Sequence, residues 1–467
     1  ETETETETET ETETETETET ETETETETET EKETKTDTET ETETKTKTKT
    51  ESSKQKRKSQ STYKCLKTKP SVIVNRHIQY MKKHNIKLEK SHLKLPFLYW
   101  IPKMHKNPSK QRYIAASHSC TTKPLSKMIT FCLKLIQRTH TNHCKTIVKN
   151  NGYNRMWIVE NSVEVIQKII ETKQEPFKNV RTYDFSTLYT SIPHRKLKDQ
   201  IAWVISECFN EDSRKFIRIE RNSARWSSSR GKDGYCWNKD ELIGHVNWLI
   251  SNIFVTCGNS MFKQVIGIPM GTDCAPFLAN LFLFAYEYKW LTKKFEAKEF
   301  DVLKKFKICF RYIDDLLCVN NDQLMDKVMT EIYPDELKLT SDDAVLQCHY
   351  LDLDLEIRNG DIHSKLFDKR DAFGFSIVNY PDLSGNIPVK QSYGVFVSQL
   401  IRYGRCCMSV TDFIHRTKIL VRKLTKQGFR LTNLRHVFEK FAANYYELLF
   451  KYGYSIDYIC KSCCSTI

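Results

Sequence analysis

Apolar and polar positions between residues 177 and 380 change period several times, marking short strands set among longer helices. Val180 to Phe185, Ile253 to Val255, Ile308 to Ile313 and Leu316 to Val319 read as short strands, bounded by polar or turn-forming residues. The last two runs are close enough to form a hairpin with Asp314 and Asp315 at its tip. Tyr350 to Ile357 alternates apolar and acidic residues, as a half-buried strand does with its acids on the wet face. Helical spacing predicts a helix over Pro193 to Phe209 through Leu197, Ile201, Val204, Ile205 and Phe209. A second helix, Phe277 to Lys294, carries Leu278, Leu281, Phe282, Ala285 and Tyr288 on one face. After Tyr380 the pattern is helical, with Phe413, Leu420, Leu424, Leu434, Val437, Phe438 and Phe441 apolar. Trp226 to Trp237, with three serines and two glycines, reads as an inserted loop with no assigned role.

The first 51 residues are a Glu-Thr repeat with period two but no apolar face. Like charges along it repel, so the pattern predicts disorder. A translated simple repeat accounts for it better than an acidic tail competing with nucleic acid. This segment holds 22 acidic and 5 basic side chains, leaving 67 basic against 39 acidic in residues 52–467. A body charge near +28 suits a protein that lines a phosphate channel, because Lys and Arg displace counterions from a nucleic-acid backbone. Lys54 to Lys58 reads equally as a solvated linker or as a nuclear import signal. No apolar run reaches the roughly 18–20 residues needed to cross a bilayer, and the N-terminus does not resemble a secretory signal. An intracellular protein without a membrane partner is expected, in the nucleus if the basic run acts as a signal. The 16 cysteines are scattered through apolar segments and suit reduced, buried hydrophobes. Cys460 and Cys463 alone have metal-ligand spacing, half of a zinc site.

Two adjacent acids in a turn are ordinarily a solvated turn. Here a third, Asp184, ends the strand that begins at Val180, so three carboxylates can meet at one sheet edge. Such a trio suits two-metal phosphoryl transfer, in which two divalent ions about 3.5–4 Å apart activate the attacking oxygen and stabilise the leaving one. Magnesium takes hard oxygen ligands and keeps several waters, so two or three carboxylates plus substrate phosphates suffice.

Asp184-Phe185-Ser186-Thr187-Leu188-Tyr189 resembles the first catalytic palm motif of reverse transcriptases, and Tyr312-Ile313-Asp314-Asp315 resembles their Tyr-x-Asp-Asp motif. The continuation Tyr189-Thr190-Ser191-Ile192-Pro193 is similar to Penelope-like retroelements in particular. Leu98 to Lys106 and Arg112 to Ser117 resemble the paired fingers motifs, in which Lys103 and Arg112 would hold the incoming triphosphate. Gly267 to Pro276 resembles the motif that lies against the nascent base pair, and implicates Met270 and Gly271 in nucleotide binding. Tyr350 to Ile357 followed by Lys365 to Arg370 resembles the closing palm strands and primer-gripping hairpin, with Lys365 and Lys369 as grip residues. The resemblance covers about Pro96 to Tyr454.

The resemblance implies an α+β right-hand polymerase with an antiparallel palm sheet and a helical thumb. Its parts would be a repeat tail at 1–51, a basic extension at 52–95, fingers at 96–176, palm at 177–380 and thumb at 381–467. Asp184, Asp314 and Asp315 would be catalytic and hold two Mg²⁺, with Mn²⁺ as a substitute. RNA template, DNA primer or RNA–DNA hybrid, and dNTP would be the partners. RNA-dependent RNA polymerases place an acid five residues after the first catalytic Asp; Tyr189 stands there, where a ring fills the space of a ribose 2′-hydroxyl. The zinc-binding linker and GIY-YIG endonuclease of many Penelope-like proteins are not visible, which suggests a truncated copy or the endonuclease-lacking kind. Two rivals are a non-catalytic nucleic-acid-binding remnant and a telomerase-like end-adding polymerase. For the latter, residues 1–95 look too short and biased to hold an RNA-binding domain.

Overall fold

A computed structural model of the protein describes residues 61–103, 110–172, 175–211, 213–231, 234–341, 345–373, 375, 377 and 379–464. The Glu-Thr repeat, the Lys54 to Lys58 run and Met104 to Lys106 lie outside these residues. Among the described residues short strands and long helices alternate, and the strands form four sheets.

A four-stranded antiparallel sheet occupies the centre, in the order Cys309–Tyr312, Asp315–Val319, Val180–Ser186, Lys338–Ser341. Side chains alternate across a strand, so this sheet serves two cores. Tyr183, Phe185, Leu316 and Cys318 enter a core with helices His194–Cys208 and Ala275–Glu296. Val180, Phe310, Leu317 and Val319 enter the other, shared with a three-stranded sheet and the C-terminal helices. Helix His194–Cys208 buries Leu197, Ile201, Val204 and Ile205 as its spacing predicts. Helix Ala275–Glu296 buries more than one stripe: besides Leu278, Leu281, Phe282 and Ala285 it hides Leu283, Phe284, Glu287 and Trp290, while Tyr288 stays partly exposed. A helix hydrophobic all round belongs in a core.

A five-stranded sheet joins Tyr63–Leu66, Ser260–Gln264, Phe254–Cys257, Phe97–Lys103 and Lys110–Ala116 in that order. The Ile253 to Val255 run forms a strand as its pattern predicts, at Phe254–Cys257, and that strand pairs with Ser260–Gln264 and Phe97–Lys103, apart from the acid-bearing strands. Nothing in a short apolar run names its partner.

The Trp226 to Trp237 segment is likewise not simply a loop. Ala224–Ser227 and Tyr235–Trp237 flank Phe216–Ile219 in a small antiparallel sheet, with Trp237 buried and the Trp226 ring nitrogen donating to Thr139 Oγ1 at 3.0 Å. Three- and four-residue strands are too short to register as alternation.

Tyr350 to Ile357 is broken in two. Gln347–Tyr350 and Leu353–Arg358 pair as a hairpin about Leu351, whose φ is 56°, and Asp361–Leu366 adds the third strand. Its acids are not a uniformly wet face either: Asp354 is buried and accepts from Gln347 at 2.9 Å, while Asp352 accepts from Arg402 at 2.9 Å.

Beyond residue 388 the chain is helical through Ile456–Cys464, and Phe413, Leu420, Leu424, Leu434, Phe438 and Phe441 are buried, with Val437 packed at the margin. All 16 cysteines are free and all but Cys65 and Cys257 are buried. Cys460 and Cys463 sit in that helical core, where burial pushes both thiols up. No described helix is long and apolar enough to cross a membrane.

Candidate active site

The central hairpin turns in two residues, because Tyr312 pairs with Asp315 and only Ile313 and Asp314 lie between. Asp315 therefore belongs to the strand rather than to the tip. On the other side of its strand Asp315 is directly opposite Asp184, and directly opposed Cβ atoms in an antiparallel pair lie about 4.5–5.5 Å apart. Asp314 is tied in by its carbonyl, which accepts from the Phe185 amide at 3.3 Å. The three acids proposed from sequence thus come together at one end of the sheet, each partly exposed. Their nearness is felt by two phenols. Burial first, then Asp314, raises the pKa of Tyr189; burial, Asp314 and Asp315 raise that of Tyr312.

Their donor set, all carboxylate oxygen, suits magnesium. Among the described residues no three His, Cys, Asp or Glu side chains are gathered tightly enough to hold an ion by themselves. An ion at this edge would complete its shell with water and substrate phosphate, the usual habit of magnesium.

Tyr189 follows Asp184 by five residues, in a helical turn at Leu188–Ser191, and is buried at 4% exposure. Its carbonyl accepts from Ile268 at 2.7 Å, and the Ile192 carbonyl accepts from Gly267 at 2.8 Å. Gly267 has φ +86°, and a Cβ there would lie 2.1 Å from the Tyr189 oxygen. Only glycine permits both that backbone and that approach. The same loop then reaches the other sheet: the Met270 carbonyl accepts from Ala115 at 3.0 Å, and a Cβ on Gly271, with φ +97°, would lie 2.1 Å from the Ala115 oxygen. Residues 267–271 therefore couple the Asp184 segment to strand Lys110–Ala116.

Lys103 and Arg112 lie on that two-stranded unit. Lys103 pairs with Lys110 and Ile101 with Arg112, so the two cations share a face as diagonal neighbours. Lys103 is buried; Arg112 is half-buried, with its Nε buried and without a hydrogen bond among the described residues. Lys365 and Lys369 lie elsewhere. Lys365, next to last in strand Asp361–Leu366, pairs with the buried Asp354 at 3.1 Å, while the exposed Lys369 opens a single turn, Lys369–Ala372.

One group beneath the acids escaped the sequence reading. Arg311, fully buried, donates Nε and Nη2 to the two oxygens of Glu287 at 2.6 and 3.0 Å. Its Nη1 donates to Asn280 Oδ1 at 2.8 Å and to the Ile313 carbonyl at 3.0 Å, and Nη2 also reaches the Asn280 carbonyl at 3.0 Å. Tyr333 donates to Glu287 at 2.9 Å. The available signal was a cation inside the largely apolar stretch Ile308 to Ile313, matched by an acid in the middle of the apolar helix at Glu287. A charge buried in such a strand requires a partner.

No family model and no curated protein matches the chain. Among solved structures, telomerase from Candida albicans with a fragment of telomeric RNA matches at TM-score 0.51 and 12% identity, over 84% of this chain and 67% of that one. Apo telomerase from Candida tropicalis matches at TM-score 0.41 and 13% identity, over 84% and 66% respectively. The RNA-dependent RNA polymerase of BmCPV matches at TM-score 0.40 and 11% identity, over 70% and 26%. The chain thus spans about two thirds of those telomerases, and the likeness is one of fold.

That fold is a right-hand polymerase, α+β with an antiparallel palm sheet and a helical thumb. Within that class the fold is similar to that of the Candida albicans telomerase.

Proposed function

We propose that this protein is an RNA-directed DNA polymerase that extends a primer 3′-hydroxyl with dNTPs, of the Penelope-like retroelement kind. The observation that carries the activity is Asp184 opposite Asp315, with Asp314 adjoining, at the end of a palm sheet. The narrower assignment rests on Tyr189-Thr190-Ser191-Ile192-Pro193.

In this reading residues 96–176 are fingers, 177–380 palm and 381–467 thumb. Asp184, Asp314 and Asp315 hold two Mg²⁺ ions, which supply Lewis-acid activation of the primer hydroxyl and of the leaving pyrophosphate. Lys103 and Arg112, on one face of their strand pair, stabilise negative charge developing on the triphosphate. Met270, whose carbonyl accepts from Ala115 of the same strand pair, and Gly271, which lies close against the Ala115 oxygen, set the floor on which the new base pair rests. Tyr189 packs under the sugar and excludes a 2′-hydroxyl. Lys365 and Lys369 contact the primer backbone. An RNA template agrees with the basic body of the chain and with the telomeric RNA bound by the Candida albicans neighbour.

Primer extension by the purified chain on matched RNA and DNA templates tests the reading. Mg²⁺- or Mn²⁺-dependent DNA synthesis on RNA is expected, and Asp314→Asn should abolish it, because an amide cannot supply the anionic ligand. Extension by the variant within about twofold of the parent would sink the mechanism, since a metal ligand should be worth several kcal/mol.

A further inference from the structure

Ile313 has φ 55°, a conformation β-branched residues avoid, immediately before Asp314. Backbone strain of this kind persists only where the surroundings over-determine it. Arg311 supplies the determination. Its main chain is pinned on the outer edge of the sheet, the amide donating to Trp157 at 2.6 Å and the carbonyl accepting from Val159 at 3.0 Å. Its side chain folds under the hairpin, and one Nη1 hydrogen is spent on the Ile313 carbonyl. The remaining four donors go to Asn280 and Glu287, two turns apart on the buried helix Ala275–Glu296. All five guanidinium donors are thereby committed, the most this side chain can offer.

A buried ion pair is a poor source of net stability compared with apolar packing of the same volume. Its cost is better understood if it holds a geometry. Lysine would keep the charge but has no planar fork, so it cannot serve the helix and the turn together.

We infer that Arg311 is a positioning residue, clamping the Ile313 turn to helix Ala275–Glu296 so that the Asp314 carboxylate stays in register with Asp184 and Asp315 to receive a divalent cation. The inference rests on the metal-binding reading above. It differs from a purely structural role in what must change: the affinity for the ion, beyond the stability of the chain.

The test is Mn²⁺ binding to the full chain, read from the free-ion electron paramagnetic resonance signal, alongside thermal melting. Primer extension adds the Mg²⁺ concentration for half-maximal rate. Arg311→Lys should weaken Mn²⁺ binding about tenfold or more, as loss of an outer-shell partner commonly does. It should also raise the half-saturating Mg²⁺, with the dNTP KM little changed. Leu420→Ala, which truncates a buried side chain in the C-terminal helices, is the control for destabilisation alone and should melt earlier with unaltered Mn²⁺ affinity. If Arg311→Lys does not fold, Asn280→Ala, which frees Nη1 from one of its two acceptors, should weaken the ion about threefold by the same logic. Arg311→Lys, or Asn280→Ala in its place, binding Mn²⁺ like the parent would overturn the clamp and leave the polymerase reading intact. A parent that binds no Mn²⁺, or binds it equally after Asp314→Asn, would overturn the metal reading and the clamp with it.

Discussion

Asp184 and Asp315 are Cα partners on neighbouring antiparallel strands, although 131 positions separate them in the chain. Carboxylates so placed repel unless a cation lies between them, and in the proposed two-metal reading each depends on the other to hold it. Asp184→Asn and Asp315→Asn should therefore each cost several kcal/mol of transition-state stabilisation, and the double variant should lose far less than the sum. Single-turnover extension rates of the three variants measure this. Strict additivity would mean that the two acids act independently.

Gly271 and Gly152 both have positive φ, but only the first is crowded: a Cβ would meet the Ala115 oxygen at 2.1 Å at Gly271 and nothing within 4 Å at Gly152. Gly152→Ala should cost about 1–2 kcal/mol, the backbone term alone. Gly271→Ala should cost more and should also raise the dNTP KM, because the loop must leave strand Lys110–Ala116. Equal melting temperatures and equal KM for the two variants would remove the loop from the site.

Tyr189 is buried at 4% exposure next to the acid cluster, a position that serves both packing and the proposed sugar gate. Tyr189→Ala should lower discrimination against ribonucleotides by more than about tenfold, roughly 1.4 kcal/mol of differential transition-state binding. Truncation will also cost about 3–5 kcal/mol of stability. The ratio of catalytic efficiencies for dNTP and rNTP, taken on one preparation, is insensitive to that loss. An unchanged ratio would leave Tyr189 as a core aromatic.

His77, His140 and His245 are buried, and desolvation pushes each down to about 4. Their unfolded values are near 6.5. The native state therefore binds fewer protons than the unfolded chain, and stability present above pH 6.5 is lost as pH falls towards 4. Each histidine contributes a slope of up to about 1.4 kcal/mol per pH unit in that window. Urea melts at pH 7.5, 6 and 5 should show a falling midpoint; a flat profile would indicate that these rings are accessible to protons in the folded state.

Local chemistry made much of this protein legible from its sequence. A strand ending in Asp184, two acids between Tyr312 and Leu316, and glycines at 267 and 271 are signals contained within a few residues, as are the helical stripes at Leu197 to Ile205 and Phe413 to Leu424. Periodicity and turn chemistry act over that range, so they survive without knowledge of the fold. Pairing does not. Only the tertiary structure decided that Asp315 faces Asp184, that strand Phe254–Cys257 joins the Lys103 sheet, that Asp354 is buried against Lys365, and that Trp226 and Trp237 belong to strands. It also decided that Arg311 spends its charge on Glu287 and one hydrogen on the Ile313 carbonyl. Each of these contacts joins segments that are not periodic neighbours, and its energy depends on register and burial, which a run of residues does not carry until the sheet and the helix beneath it have closed.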